Sequence, residues 1–350
     1  MMLAMRSVVA AAIGVALAVV DSGPSGNVMA LPRKPDIGLA PASGRGDPTV
    51  LVVLDGVRWQ EIFHGTDATL GAGAPLRART AAELMPNLHR IMHEDGAVVG
   101  APGHGSIRAS GPNFVSLPSY REIFSGRSTP DCSDNDCWRI SRTTFVDDLR
   151  DAGGRAAVFA SWEKIDRAAA ADPTGVVVSA GRPEDDDTSP WPGAGAFRPD
   201  RMTASLALQH LEREAPDFLF LGLGEPDEFA HHGNYSGYVG ALTAADATLG
   251  ELLRTLGRMG ARGKRTHVLV TTDHGRSAGF RDHGGPHPES ARVWLAAMGP
   301  RIAARGPVDI DDARLRDIAP TLRAITEIAP ADRADDAGRP LARLFSSAGL

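Results

Sequence analysis

The sequence predicts an α/β fold, a three-layer sandwich around a mostly parallel central sheet, and two features predict it. Apolar runs of strand length recur at 49–54, 156–160, 176–179, 218–223, 267–271 and 293–298. Between and after them lie segments with helical spacing of apolar residues, at 81–93, 144–152, 201–214, 238–259 and 310–325. A strand apolar at nearly every position is buried on both faces, which is the state of a parallel strand covered by helices on either side. Strands alternating with helices of this length give such a sheet.

Bulk composition narrows the class. With 350 residues, 43% hydrophobic and 23% charged, the chain has the make-up of an ordinary globular protein. Its formal net charge of -6 argues against a nucleic-acid polymer as partner, which normally calls for a basic face. A small anionic substrate stays compatible, because a bound metal inverts the local field. The apolar run from Val8 to Val20, preceded by Arg6 and followed by Val28-Met29-Ala30, has the length and flanks of a signal peptide. The expected organisation is a signal peptide over 1–30, a Pro/Gly/Ser-rich linker over 31–47 and one catalytic domain over 48–350, in a periplasmic or secreted protein. No further hydrophobic span appears, so no integral membrane segment is expected after signal removal.

The chain has two cysteines, Cys132 and Cys137, with four residues between them. Two thiols are too few for a closed structural zinc site. In an oxidising compartment they are expected to form one local disulfide. Closing so short a loop stabilises by only about 2 kcal/mol, so its expected use is to hold the shape of that loop.

In open α/β sheets the ligand sits beyond the carboxyl ends of the strands. The run ending at Leu54 delivers Asp55-Gly56, and the run ending at Leu223 delivers Asp227 and His231. The run ending at Thr271 delivers Asp273-His274-Gly275. Carboxylate and imidazole together suit a borderline cation such as zinc. Asp227 and His231, four apart, share one face if their segment is helical, whereas the neighbouring His232 points elsewhere. The loop Phe280-Arg281-Asp282-His283-Gly284-Gly285-Pro286-His287 offers His283 or His287 as a further ligand. Around Ser116, Pro118 and the spacing of Tyr120, Ile123 and Phe124 predict a helix beginning just after the serine. A helix N-terminus favours an anion, and a serine coordinated there to a metal would be nucleophilic at neutral pH.

These motifs, Asp55-Gly56, Ser116-x-Pro118, Asp227-x-x-x-His231, Asp273-His274-Gly275 and His283, occur in the order seen in the alkaline phosphatase superfamily. The chain resembles its nucleotide pyrophosphatase/phosphodiesterase branch, where Thr-x-Pro stands in place of Ser116-Leu117-Pro118. The segments 293–300 and 317–322 are similar to that superfamily's closing strand and helix. The resemblance spans about 48–328 and implies an alkaline-phosphatase-like fold and two divalent metal ions, zinc by the donor set. It implies one metal on Asp227, His231 and His283, and the other on Asp55, Asp273, His274 and the Ser116 oxygen. His283 is preferred to His287 because the family's last histidine precedes a glycine. Asn135 stands near the family's asparagine that binds a phosphoryl oxygen.

What the resemblance implies is hydrolysis of a small phosphorylated substrate, phosphodiester favoured, through a covalent phospho-enzyme on Ser116. The alternatives on the same fold are a phosphomonoesterase, a sulfatase-like hydrolase and a secreted binding protein without catalysis. A monoesterase would call on an arginine such as Arg108, Arg121 or Arg127, and the sequence selects none of them. A sulfatase pattern places Arg one position earlier than Arg121. A cofactor-independent mutase of the superfamily would be cytosolic with an inserted domain, against the export signal and the short chain between Ser116 and Asp227. The sequence leaves the oligomeric state open.

Overall fold

The computed structural model describes residues 46–73, 76–181, 190–191, 193, 195–329 and 335–347. The expected signal peptide and all but residues 46–47 of the expected linker lie outside them. Gly44–Leu350 forms one compact unit.

Eleven strands are described: β1 (Thr49–Leu54), β2 (Gly96–Val99), β3 (Gly105–Arg108), β4 (Ala156–Ala160), β5 (Val177–Ala180), β6 (Phe218–Leu223), β7 (His267–Thr271), β8 (Arg292–Val293), β9 (Leu295–Met298), β10 (Gly306–Pro307) and β11 (Ile310–Arg314). Eight of them form the central sheet in the order β10-β2-β9-β7-β1-β6-β4-β5, and β11, β3 and β8 form a small second sheet. β1 is buried at every position and lies parallel between β6 and β7, with Leu54 level with Leu223 and Val53 level with Thr271. The carboxyl ends of β1, β6 and β7 therefore stand side by side, the arrangement that opens a ligand crevice.

Side chains alternate along each strand, and this alternation divides the core in two. Leu51, Val53, Phe218, Phe220 and Leu269 pack on one face with the helices Ser116–Ser125, Phe145–Asp151 and Ile318–Thr326. Val50, Val52, Leu54, Leu221 and Val270 pack on the other with Pro86–His93, Asp200–Glu214 and Tyr235–Arg258. The result is the expected three-layer sandwich. Among the described residues no helix is long and apolar enough to cross a membrane.

Several element boundaries differ from the sequence reading. The segment 81–93 is two helices, Ala81–Leu84 and Pro86–His93, because Pro86 cannot continue a helix but suits the first turn of the next. The 238–259 helix starts earlier, at Tyr235, where the Asn234 side chain accepts from Gly237 N at 2.8 Å. The run 293–298 divides at Trp294 between the two sheets, and β9 is antiparallel to both β2 and β7. Only the second half of 310–325 is helical: residues 310–314 are β11, paired with β3 across an irregularity that sets Asp312 at φ 59°. Cys132 and Cys137 are disulfide-bonded, with Cα atoms 5.6 Å apart.

Candidate metal centre

The strand ends bring their polar residues to one place. Asp55 continues the β1 ladder, its N–H donating to Leu223 O at 2.9 Å. Gly56 then turns the chain at φ 63°, and its N–H donates to Asp273 Oδ1 at 3.0 Å. A Cβ on Gly56 would run into the Asp227 carboxylate and the Arg276 guanidinium. Gly56→Ala is therefore expected to lose at least about 2 kcal/mol from the left-handed backbone and the clash together, read as a lowered thermal midpoint.

The helix Ser116–Ser125 begins with Ser116 as its first residue, its side chain not engaged in capping. Ser116 Oγ lies 3.2 Å from His274 Nε2 and 3.4 Å from Asp55 Oδ1. Tyr120, one turn on, donates its hydroxyl to Asp55 Oδ2 at 3.1 Å. On the far side, Glu225–His231 is helical, so Asp227 and His231 share a face, with His231 Nε2 3.0 Å from Asp227 Oδ2. His283 Nε2 lies 3.1 Å from His231 Nε2 and 4.0 Å from Asp227 Oδ1, and its ring stacks on His274 with centroids 3.8 Å apart. His287 instead precedes the short turn Pro288–Ala291, with no capping hydrogen bond from its side chain, and His232 turns to Glu228 O at 2.8 Å. The sequence-predicted residues Asp55, Ser116, Asp227, His231, Asp273, His274 and His283 are thus brought together, and His287 is not.

Hydrogen bonding leaves these groups acceptor-rich. Asp55 commits Oδ2 to Tyr120, Asp273 commits Oδ1 to Gly56, and Asp227 gives Oδ1 to Arg276. Of their other oxygens, Asp55 Oδ1 accepts from Ser116 Oγ and Asp227 Oδ2 faces His231 Nε2, while buried Asp273 Oδ2 has no hydrogen-bond partner at all. His274 Nδ1 is 2.9 Å from Gly275 O and His283 Nδ1 is 3.0 Å from Phe114 O. A carbonyl only accepts, so both Nδ1 atoms carry the proton and both Nε2 lone pairs are turned into the site. Unpaired buried acceptors facing one another are costly, and divalent cations among them remove that cost. Ligand atoms gather in two groups, Asp227/His274/His283 and Asp55/Asp273/His274, each within 4.8 Å. The donor set of carboxylates and neutral imidazoles fits such ions.

Ionisation follows the same logic. Burial first, then the Asp273 and Asp227 charges, push the Asp55 carboxyl well up. Burial pushes Asp273 up to about 7. Burial also acts to raise Asp227, but Arg276 and His231 outweigh it and hold that carboxyl well below its usual range. Burial lowers His274 to about 4 and His283 to about 3, which keeps both imidazoles neutral. The Asp227 charge raises His231.

The cluster opens into a cavity of about 530 Å³ bordered by Asp55, Ser116, Asn135, Lys164, Asp227 and His231. Asn135, in the disulfide loop, accepts from Leu117 N at 2.9 Å through Oδ1, which leaves its amide hydrogens to donate. Three participants were not read from the sequence: Tyr120, Arg276 and Lys164. Tyr120 carried a signal, since it sits four residues after Ser116 and hence on the same helix face. Lys164 pairs with Asp136 at 2.8 Å, and it lines the cavity while Arg121 turns to Trp138 O and Asp131. A larger cavity of about 1000 Å³, bordered by Arg142, Pro320 and Arg323, lies away from all these ligands.

Fold and site together are alkaline-phosphatase-like, and comparison with known proteins finds the same likeness. Residues 199–323, which span Asp227 to the closing helix, match the metalloenzyme superfamily. The 2,3-bisphosphoglycerate-independent phosphoglycerate mutase of Haloarcula marismortui is 31% identical over 141 residues, 39% of this chain and 26% of that protein. The mutase of the same description from Rippkaea orientalis is 30% identical over 131 residues, 35% of this chain and 24% of that one. The chain thus spans about a quarter of the length of the curated relatives it matches. Among solved structures, a 2-O GAG sulfatase superposes with a TM-score of 0.61 at 16% identity, covering 85% of this chain and 73% of that one. A protein in the alkaline phosphatase superfamily from Vibrio parahaemolyticus gives 0.59 at 17% identity, covering 87% and 71%. Residues 199–323 thus match the metalloenzyme superfamily, on a fold shared with sulfatases and with a protein of the alkaline phosphatase superfamily. The branch of nucleotide pyrophosphatases and phosphodiesterases remains a resemblance of motifs.

Proposed function

We propose that this chain is an exported two-metal hydrolase of phosphate esters, phosphodiesters favoured, with Ser116 as nucleophile. The observation that carries the reading is Ser116 Oγ at the start of its helix, 3.2 Å from a neutral imidazole and 3.4 Å from a carboxylate. Asp227, His231 and His283 would hold one cation and Asp55, Asp273, His274 and Ser116 the other, and the donor set favours zinc. Bound there, the ions supply positive charge to the phosphoryl oxygens and lower the pKa of the serine hydroxyl.

The chain's own residues do the rest. Tyr120 and Gly56 fix the Asp55 and Asp273 carboxylates, so Ser116 is held in a preformed setting. Its hydroxyl gives up the proton to solvent, the oxygen attacks phosphorus, and the ester oxygen departs with the bonding electrons and takes up a proton. The phosphoryl group left on Ser116, still carrying its second ester when the substrate is a diester, is then hydrolysed by water. The Asn135 amide, which borders the cavity, would donate to a phosphoryl oxygen. Export is supported by the Cys132–Cys137 disulfide, a bond that persists in oxidising compartments.

A sulfate ester is the competing substrate, since the structural neighbours include sulfatases. Against it, Arg121 bonds Trp138 O and Asp131 rather than lining the cavity. The mutase relatives, named for a phosphate ester, support phosphate. The test is turnover of bis-p-nitrophenyl phosphate, p-nitrophenyl phosphate and p-nitrophenyl sulfate by metal-loaded protein. The diester is expected to be cleaved fastest. Preference for the monoester would move the protein to the phosphatases, and preference for the sulfate would overturn the phosphate assignment.

A further inference from the structure

Arg276 lies two residues beyond His274, and its side chain is fully buried. Its guanidinium is committed in three directions. Nε donates to Phe280 O and Nη2 to Arg281 O, each at 2.5 Å, and Nη1 to Asp227 Oδ1. The partners belong to two separate pieces of chain: the turn that ends at His283, and the helix Glu225–His231 that carries Asp227 and His231.

That turn is closed by short backbone hydrogen bonds, Arg281 N to Gly279 O at 2.9 Å among them, and is tied outward through Ala278 N to Glu289 Oε1 at 3.0 Å. Ser277 N donates to Asp282 O at 2.7 Å and Phe280 N to Ser277 O at 2.9 Å. Phe280 sits at φ 72°, a left-handed conformation unfavourable for a bulky residue. Its ring packs edge-on against Tyr235 and Tyr238, with centroids 5.3 and 5.1 Å apart. The Phe280 and Arg281 carbonyls of this turn find their donors in the planar fork of buried Arg276, a geometry an ammonium cannot reproduce.

We infer that Arg276 is the positioning residue of the Asp227–His231–His283 site. It ties the histidine-bearing turn to the carboxylate-bearing helix, and it occupies Asp227 Oδ1 so that Oδ2 is the oxygen left for a cation. The inference rests on the two-metal reading above. Charge alone predicts the opposite effect of substitution, because removing the guanidinium leaves Asp227 more negative and more attractive to a cation. Positioning outweighs this because Asp227 and the Phe280 and Arg281 carbonyls all lose their shared donor at once, and His283, one ligand of three, is then held only by Phe114 O and its stacking on His274.

The two accounts separate experimentally. Wild-type protein, Arg276→Lys and Arg276→Gln would be loaded with zinc and with cobalt and dialysed against a graded chelator. Bound metal would be counted, the cobalt absorption spectrum recorded and thermal unfolding followed. The wild type is expected to hold two ions. Both variants are expected to unfold cooperatively and to keep the ion of the Asp55–Asp273–His274 group. The other ion should weaken about ten- to a hundredfold, the range for lost outer-shell partners, with its cobalt bands altered and no rescue by lysine. Retention of both ions at wild-type affinity or tighter in Arg276→Gln, rescue by Arg276→Lys, or equal loss of both ions would overturn the inference. A wild type that holds fewer than two ions would instead sink the two-metal reading itself.

Discussion

Ser116→Ala is expected to lower turnover of the favoured ester by at least about 10³-fold, the scale on which nucleophile removal acts in a hydrolase whose other groups stay intact. The substitution removes one oxygen and little else. Ser116 is buried and is the first residue of its helix, with no side-chain cap to lose. Alanine has the highest helix propensity, which offsets part of the lost contacts to His274 and Asp55, so the thermal midpoint should move by the equivalent of no more than about 1.5 kcal/mol. Asp55, Asp273 and His274 remain to bind metal, their mutual positions held by Tyr120, Gly56 and Gly275. Metal content and unfolding measured beside the rate therefore separate chemistry from folding. If the variant kept activity within about tenfold of wild type with metal in place, Ser116 would not be the nucleophile and a water attack would have to replace it.

The parts of this site that could be read from the sequence are those that depend on strand ends. Asp55, Asp273 and His274 each directly follow a buried apolar run or lie within three residues of its end. The crevice rule then places them together with no knowledge of side-chain contacts. Asp227 and His231 followed from spacing once their segment was taken as helical. His283 over His287 rested on the glycine that follows it. What could not be read depends on contacts between distant segments. Arg276 looks like any polar loop residue until the turn at Phe280 folds back on it, and Lys164 reaches the cavity from the loop after β4. Likewise β9 is as apolar as a parallel strand, and only its pairing with β2 and β7 reveals the reversed direction. β11 reads as the start of a helix because Ile310 and Ala313 are three apart, a spacing the strand accommodates only through the irregularity between them, and pairing with β3 decides the matter. The signal peptide was read from residues outside those the structure describes, so export stands on that reading and on the disulfide.

Removal of divalent metal by a chelator is expected to stop turnover and to destabilise the fold, by an amount that grows as pH rises above about 6.5. Asp55 and Asp273 have carboxyls raised in the metal-free fold, Asp273 to about 7. A raised carboxyl holds a proton in the folded state that the unfolded chain has already released. The stability this confers is complete below the ordinary carboxylate range and is lost as pH rises through the folded value. His274 and His283 act in the other direction: their folded values of about 4 and about 3 lie below the ordinary 6.5, so their stability is lost as pH falls below 6.5. The two pairs oppose each other between about 4 and 6.5. Above that window only the carboxylates act, joined by His231, which Asp227 raises, and Glu228, raised to about 7 by burial and the Asp227 charge. Bound cations neutralise the same carboxylates, so metal-loaded protein should not show this decline. Glu122 and Asp200, each raised to about 7 by burial in other parts of the fold, act equally with and without metal and cancel in the difference. Thermal midpoints of chelated and metal-loaded protein, measured from about pH 5.5 to about pH 8.5, should therefore diverge towards the alkaline end. Two curves that stay parallel would show that the buried carboxylates are not what the metal neutralises, and the ligand assignment to Asp55 and Asp273 would fall.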